Sequence, residues 1–153
     1  MYAAGLTLKK ENLQMFQERF EKVVSETITD EQLIPKVEID TQIDFSEISE
    51  KFLRVLKQFE PFGPDNMAPV FMTRSVYDTG MGRLVGTSAE HLKLDLNQKE
   101  DPYNQFPAIG FNMAEHYYLV KNGKPFDICY TVEENEFRGT VTIQLNLKDI
   151  KPA

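Results

Sequence analysis

Few side chains of this chain are of types and spacings that do covalent chemistry. Glu133-Glu134-Asn135-Glu136 is the densest group of carboxylates, the oxygen-rich kind of cluster that a hard divalent cation seeks. Strand alternation sends Glu133 and Glu134 to opposite faces, so the run reads better as the solvated end of a hairpin. His91 and His116 share no ligand spacing on one element, and each reads as an exposed or hydrogen-bonded ring. The single cysteine, Cys129, falls opposite the apolar positions Phe126, Ile128, Tyr130 and Val132 and on the same side as Asp127, surroundings that disfavour a thiolate. Gly80-Met81-Gly82 has no Lys-Ser/Thr after it and opens no helix, so it is not a phosphate loop. No catalytic residue, metal ligand or cofactor site is expected in this stretch of chain.

A second kind of chemistry is better supplied. Holding one strand of nucleic acid requires rings on which bases stack and cations that follow the backbone, and it is indifferent to sequence because every base has a π-face. Arg74, Arg83, Lys93, Arg138 and Lys148 provide charge, and Tyr77, Phe111 and Phe137 provide rings. Phe137 and Arg138 combine both at a hairpin tip. The competing reading makes Phe111 a core residue and the cations scattered solvated groups.

Composition limits what can hold these groups in place. With 153 residues, 41% of them hydrophobic, the chain can bury one good core or two small ones sharing an interface. No run is long enough to span a bilayer and no basic-then-apolar leader opens the chain, so a soluble, cytoplasmic protein is expected. One cysteine forms no internal disulfide, and with two histidines it builds no Cys/His zinc site. The net charge of −7 argues against a general polyanion binder. The excess is uneven, however: residues 1–68 carry 8 Lys and Arg against 13 Asp and Glu, whereas residues 69–153 carry 9 against 11. The second half can therefore present a basic face if its carboxylates point elsewhere.

The elements divide at Phe59–Phe71, where three prolines and a glycine stop both helix and central strand. Its phenylalanines, Phe59, Phe62 and Phe71, suit a packed elbow rather than a loose linker. Before it, Met1–Leu8 reads as a strand. Leu13, Phe16, Phe20, Val23, Val24 and Ile28 mark an amphipathic helix over 12–28, and Thr29-Asp30-Glu31-Gln32 has capping-box spacing. Val37 to Asp44 alternates as a strand with one wet face. A further helix follows, capped by Ser46 or by Asp44 with Glu47, with Ile48, Phe52, Val55, Leu56 and Phe59 as its buried stripe. After the elbow, strands are expected over 70–77, 83–87, 91–97, 106–111, 126–133 and 140–148, with Asp101-Pro102 among the turns and about two turns of helix over 112–119. Three strand units, a short helix and a long hairpin is the order of a five-stranded OB barrel, an order other small barrels share. The fold class is thus α+β: a helical segment with a short strand over 1–60, an elbow over 61–69 and an OB-like barrel over 70–151.

Several stretches resemble the RecJ family of bacterial single-strand-specific 5′-to-3′ DNA exonucleases. Glu60-Pro61-Phe62-Gly63-Pro64-Asp65-Asn66-Met67-Ala68-Pro69-Val70-Phe71 is similar to the segment entering that family's C-terminal domain, although the family usually has Gly-Asn for Asp65-Asn66 and often Pro-Glu-Pro for Met67-Ala68-Pro69. His91-Leu92-Lys93-Leu94 resembles its H-L-K-L strand, Ala108-Ile109-Gly110-Phe111-Asn112 its A-I-A-F-N, Asn135-Glu136-Phe137-Arg138-Gly139 its N-E-W-x-G tip, and Gln144–Ile150 its Q-L-x-L-x-D-I close. Met1-Tyr2-Ala3-Ala4-Gly5 matches the second half of the G-G-H-x-x-A-A-G motif of the family's DHH-associated domain and lacks the first half. The resemblance implies a fragment comprising the end of a DHH-associated domain and an OB domain. Its expected role is guiding single-stranded DNA, in repair and recombination, toward an upstream catalytic domain that uses Mn or Mg. A single-strand-binding protein is a further implied partner. A protein-contact or interdomain module without direct DNA binding is the alternative, motivated by the acidic balance and the scarcity of Lys and Arg.

Overall fold

Apolar spacing at three and four residues produces the first element of the computed structural model, helix α1 (Leu13–Thr27), which a 3-10 turn at Lys10–Asn12 leads into. The structure describes residues 5–153, apart from the side chain of Phe137. A short helix α2 (Asp30–Leu33) follows, with the Thr29 amide donating to Gln32 Oε1 at 2.9 Å as the capping-box spacing requires. The strand expected over Met1–Leu8 lies partly outside the described residues, and Gly5–Leu8 is not in a strand. Contacts divide the chain into two compact units, Met1–Lys36 and Val37–Ala153. The second unit thus includes residues 37–60, which the sequence groups with the N-terminal segment.

In the second unit only Thr41–Gln42 (β1) of the expected 37–44 strand is paired, parallel to β2 (Phe71–Asp78). Two caps then act in series. Asp44 and Glu47 close a 3-10 turn at Phe45–Glu47, the Asp44 amide donating to Glu47 Oε2 at 2.8 Å. Ser49, not Ser46, caps helix α3 (Glu50–Leu56), its Oγ accepting from the Phe52 amide at 3.1 Å. The shorter helix has a rotated stripe: Leu53 and Leu56 are buried while Val55 and Phe59 are exposed. In the elbow, Asn66 Nδ2 donates to the carbonyls of Phe59 and Pro61, each at 2.9 Å, and Phe62 packs on the core.

The remaining strands are β3 (Arg83–Val85), β4 (His91–Gln98), β5 (Asp101–Gly110), β6 (Phe126–Phe137) and β7 (Thr140–Pro152), with helix α4 (Tyr117–Lys121) between β5 and β6. Their order is β1-β2-β6-β7-β5-β4-β3, and a further pairing of β2 with β4 closes β2, β4, β5, β7 and β6 into a barrel. Within the barrel all pairings are antiparallel except β5 with β7. Five closed strands with a helix between the third and fourth are an OB barrel, as the element order implies. Closure depends on a bulge in β2. Register shifts between Thr73 and Val76, Ser75 takes a φ of 54°, and its amide donates to Asp127 Oδ1 at 3.1 Å, so one strand pairs with β6 and then with β4.

Asp101-Pro102 is not a turn but the start of β5, the turn having moved to Lys99-Glu100. Pro102 and Pro107 are tolerated because β5 pairs with β7 only at Ala108 and Ile109, leaving the earlier residues an edge. Inward positions, including Val76, Leu92, Leu96, Ala108, Tyr130 and Leu145, form the core. Phe45 fills one end, fully buried, its ring 5.2 Å from Phe106 and 6.5 Å from Tyr130. β6 is covered on both faces: Asp127, Cys129 and Thr131 are buried although they alternate away from the core. Cys129 therefore behaves as a small packed side chain. Burial pushes its thiol pKa up, and Sγ reaches the Asp149 carbonyl at 3.9 Å.

Candidate nucleic-acid interface

The candidate surface arises where β3, β4 and β5 turn alternate residues outward. His91-Leu92-Lys93-Leu94 buries both leucines and leaves His91 and Lys93 on the outer face. Register then sets the rows. Arg83 stands opposite Lys93, Lys93 opposite Ile109, and Ile109 beside Asn146 of β7. One step along, Val85 stands opposite His91, and Phe111 continues β5 past Gly110 so that its ring meets His91 edge-on at 5.2 Å. Arg83, Lys93 and Phe111 are thus brought together on a two-row, three-strand patch.

Phe111 is 55% exposed, so it is a surface ring and not a core one. His91 supports it from below. Nδ1 accepts the Asn112 amide at 3.1 Å, which holds the residue after Phe111 in a left-handed turn of φ 56°. Glu90 Oε1 lies 3.6 Å from His91 Nε2. The Glu90 carboxyl is held below its usual pKa, first by its own backbone amide and that of Ser88, so a negative charge borders the patch. Asp95 follows Lys93 on the same outer face.

The other candidates are dispersed. Tyr77 is half-buried on β2 opposite Asn97, where it lines a shallow depression with Lys99 and Pro102. Arg74 is exposed at the β2 bulge, its carbonyl accepting from Gln98 Nε2 at 3.3 Å. Lys148 is exposed on β7, the extra residue where register with β6 slips between Cys129 and Tyr130. Arg138 is exposed at the β6–β7 tip, where it and Gly139 both have positive φ, as a two-residue type I′ turn demands. The side chain of Phe137, half of the pair singled out in sequence, lies outside the described residues.

Sequence reasoning missed His91, Ile109 and Asn146 as members of the patch, and Tyr103, 95% exposed on β5. Alternation was the available signal for His91, since it shares the parity of Lys93. Glu133 is no metal ligand in waiting: its Oε1 accepts from Thr131 Oγ1 and Asn146 Nδ2, both at 2.9 Å. Among the described residues no group of three or more His, Cys, Asp or Glu is placed to hold a metal ion. No helix among them is long and apolar enough to cross a membrane.

Comparison with known proteins follows the same line. Residues 39–149 match the family described as the RecJ OB domain. The single-stranded-DNA-specific exonuclease RecJ of Bacillus subtilis is 26% identical over 147 residues, covering 96% of this chain and 18% of the relative. Its namesake from Escherichia coli is 27% identical over 153 residues, covering 98% of this chain and 25% of the relative. The crystal structure of RecJ in complex with Mn2+ from Thermus thermophilus superposes with a TM-score of 0.68 at 14% identity, covering 97% of this chain and 20% of that one. The chain therefore spans about a fifth to a quarter of the proteins it is similar to.

Proposed function

Because this chain belongs to the family of RecJ OB domains, we propose that its barrel binds single-stranded DNA and guides it to a metal-dependent catalytic core. That core lies upstream in a longer, RecJ-like exonuclease acting in DNA repair and recombination. The observation that carries this reading is the cation row Arg83–Lys93 beside the exposed ring of Phe111, a pairing of backbone charge and base platform on one barrel face. Hydrolysis belongs to the remainder of the longer protein, whose relatives are named as single-stranded-DNA-specific exonucleases and crystallise with Mn2+ or Mg2+. The soluble, cytoplasmic setting of DNA metabolism fits this role.

A net charge of −7 sets the expected strength. Binding by this chain alone is weak, indifferent to sequence and steeply weakened by salt, because phosphate contacts supply most of it. Titration of a fluorescent oligonucleotide at two salt concentrations tests this. Equal affinity at both, or equal losses from Glu→Gln and Arg→Ala substitutions, would favour the protein-contact alternative. With Mn2+ added, the chain is expected to leave the oligonucleotide intact.

A further inference from the structure

β2 and β3 are one strand interrupted. Val76–Asp78 lie opposite Gln98–Leu96, and Arg83–Val85 opposite Lys93–His91, so both pair with β4 in succession. Thr79–Gly82 is looped out between them, its first amide donating to the Asp95 carbonyl at 2.8 Å. Where this loop re-enters the sheet fixes where Arg83 stands.

The loop is held from inside the barrel. Asp78 shares the inward parity of its partner Leu96, and its side chain is 3% exposed. Asp78 Oδ2 accepts the amides of Gly80 and Gly82, each at 3.1 Å, and the Lys121 ammonium at 3.2 Å. Lys121 Nζ also donates to the Gly80 carbonyl at 2.9 Å, tying the last residue of α4 to both ends of the clamp. Gly82 is confined by the same carboxylate, since a Cβ there would lie 2.8 Å from Asp78 Oδ2. Among the described residues Asp78 Oδ1 is buried without a hydrogen-bond partner, which makes this an expensive arrangement to keep for stability alone.

We infer that Lys121, through Asp78, is a positioning residue for single-stranded DNA: it pins the Thr79–Gly82 loop so that Arg83 stands opposite Lys93, without itself touching the strand. The inference rests on the function proposed above. It distinguishes Lys121 from Arg83 and Lys93, since its ammonium is engaged inward by a carboxylate and a carbonyl.

The test measures affinity for fluorescein-labelled oligo(dT) against salt for the whole chain and four variants: Lys121→Met, Lys121→Arg, Asp78→Asn with Lys121→Met, and Arg83→Ala. The double variant removes both charges together, so no buried charge is stranded and the fold is retained. Expected are losses of about threefold to tenfold for Lys121→Met and the double variant, an unchanged salt slope, and recovery to within about twofold in Lys121→Arg. Arg83→Ala instead lowers the slope by about 0.7, one phosphate contact. Amide exchange at Gly80 and Gly82 rises in Lys121→Met while that of β4 holds. Normal affinity in both Lys121→Met and the double variant, or a slope reduced as in Arg83→Ala, overturns the positioning role. Absence of salt-dependent binding by the unaltered chain removes the functional reading instead, and the positioning role with it.

Discussion

Arg83 and Lys93 stand directly across from one another on β3 and β4, and among the described residues neither is in an ion pair. Like charges at opposed positions of an antiparallel pair repel, a cost the free chain carries and an intervening phosphate relieves. Arg83→Ala is therefore expected to weaken oligonucleotide binding while leaving the thermal midpoint unchanged or slightly higher. A midpoint several degrees lower would show that Arg83 serves the fold, and would remove it from the interface.

Phe111→Ala separates stacking from charge. The ring is more than half exposed and meets His91 edge-on, so its loss should alter stability by no more than about 0.5 kcal/mol. Stacking on one base is worth about 1–3 kcal/mol, so affinity should fall about fivefold or more with an unchanged salt slope. Competition between labelled and unlabelled oligonucleotides reads this directly. Affinity equal to that of the unaltered chain would exclude Phe111 as a base platform.

What sequence could and could not convey divides along local and lateral lines. Alternation in His91-Leu92-Lys93-Leu94 and the positive-φ turn at Arg138-Gly139 are local, and both are legible. Which cations share a face depends on lateral register, and here register is set by irregularities: the Ser75 bulge, the looped-out Thr79–Gly82, and the extra residue Lys148. A single sequence does not show those offsets. Asp78 illustrates the difficulty, since a carboxylate next to Thr-Gly-Met-Gly looks solvated until the barrel closes around it. Phe45 is similar, a ring in a polar context that fills the barrel end because the Ile43 amide donates to the Met72 carbonyl just before it.

Tyr130 gives a pH signature. Its hydroxyl is buried and donates to Thr73 Oγ1 at 2.7 Å, while Thr73 donates onward to the Ile43 carbonyl at 2.8 Å. Burial raises the phenol pKa well above its usual value near 10. The folded state thus holds its proton more tightly than the unfolded chain. That contribution is fully present below about pH 10 and is lost as pH climbs from there toward the folded pKa. Tyr130→Phe should cost about 1 kcal/mol near neutrality by loss of the hydrogen bond. It should also lose less stability than the unaltered chain between about pH 9 and about pH 11. Urea unfolding across that interval decides it, and parallel losses in both proteins would refute the assignment.

Asp65 offers a gain rather than a loss. It takes a φ of 65° in the elbow, the left-handed region that favours glycine. The turn itself is held by its neighbours, with the Gly63 amide donating to the Asn66 carbonyl at 2.9 Å and Asn66 Nδ2 bonded to Phe59 and Pro61. The Asp65 side chain has no hydrogen bond or ion pair to lose among the described residues. Asp65→Gly removes the backbone penalty of about 1 kcal/mol, offset in part by the greater entropy of glycine in the unfolded chain. A net stabilisation of about 0.5 kcal/mol with an unchanged urea m-value is expected. A destabilised variant would show that the aspartate, not the turn geometry, is what this chain uses at the entrance to its barrel.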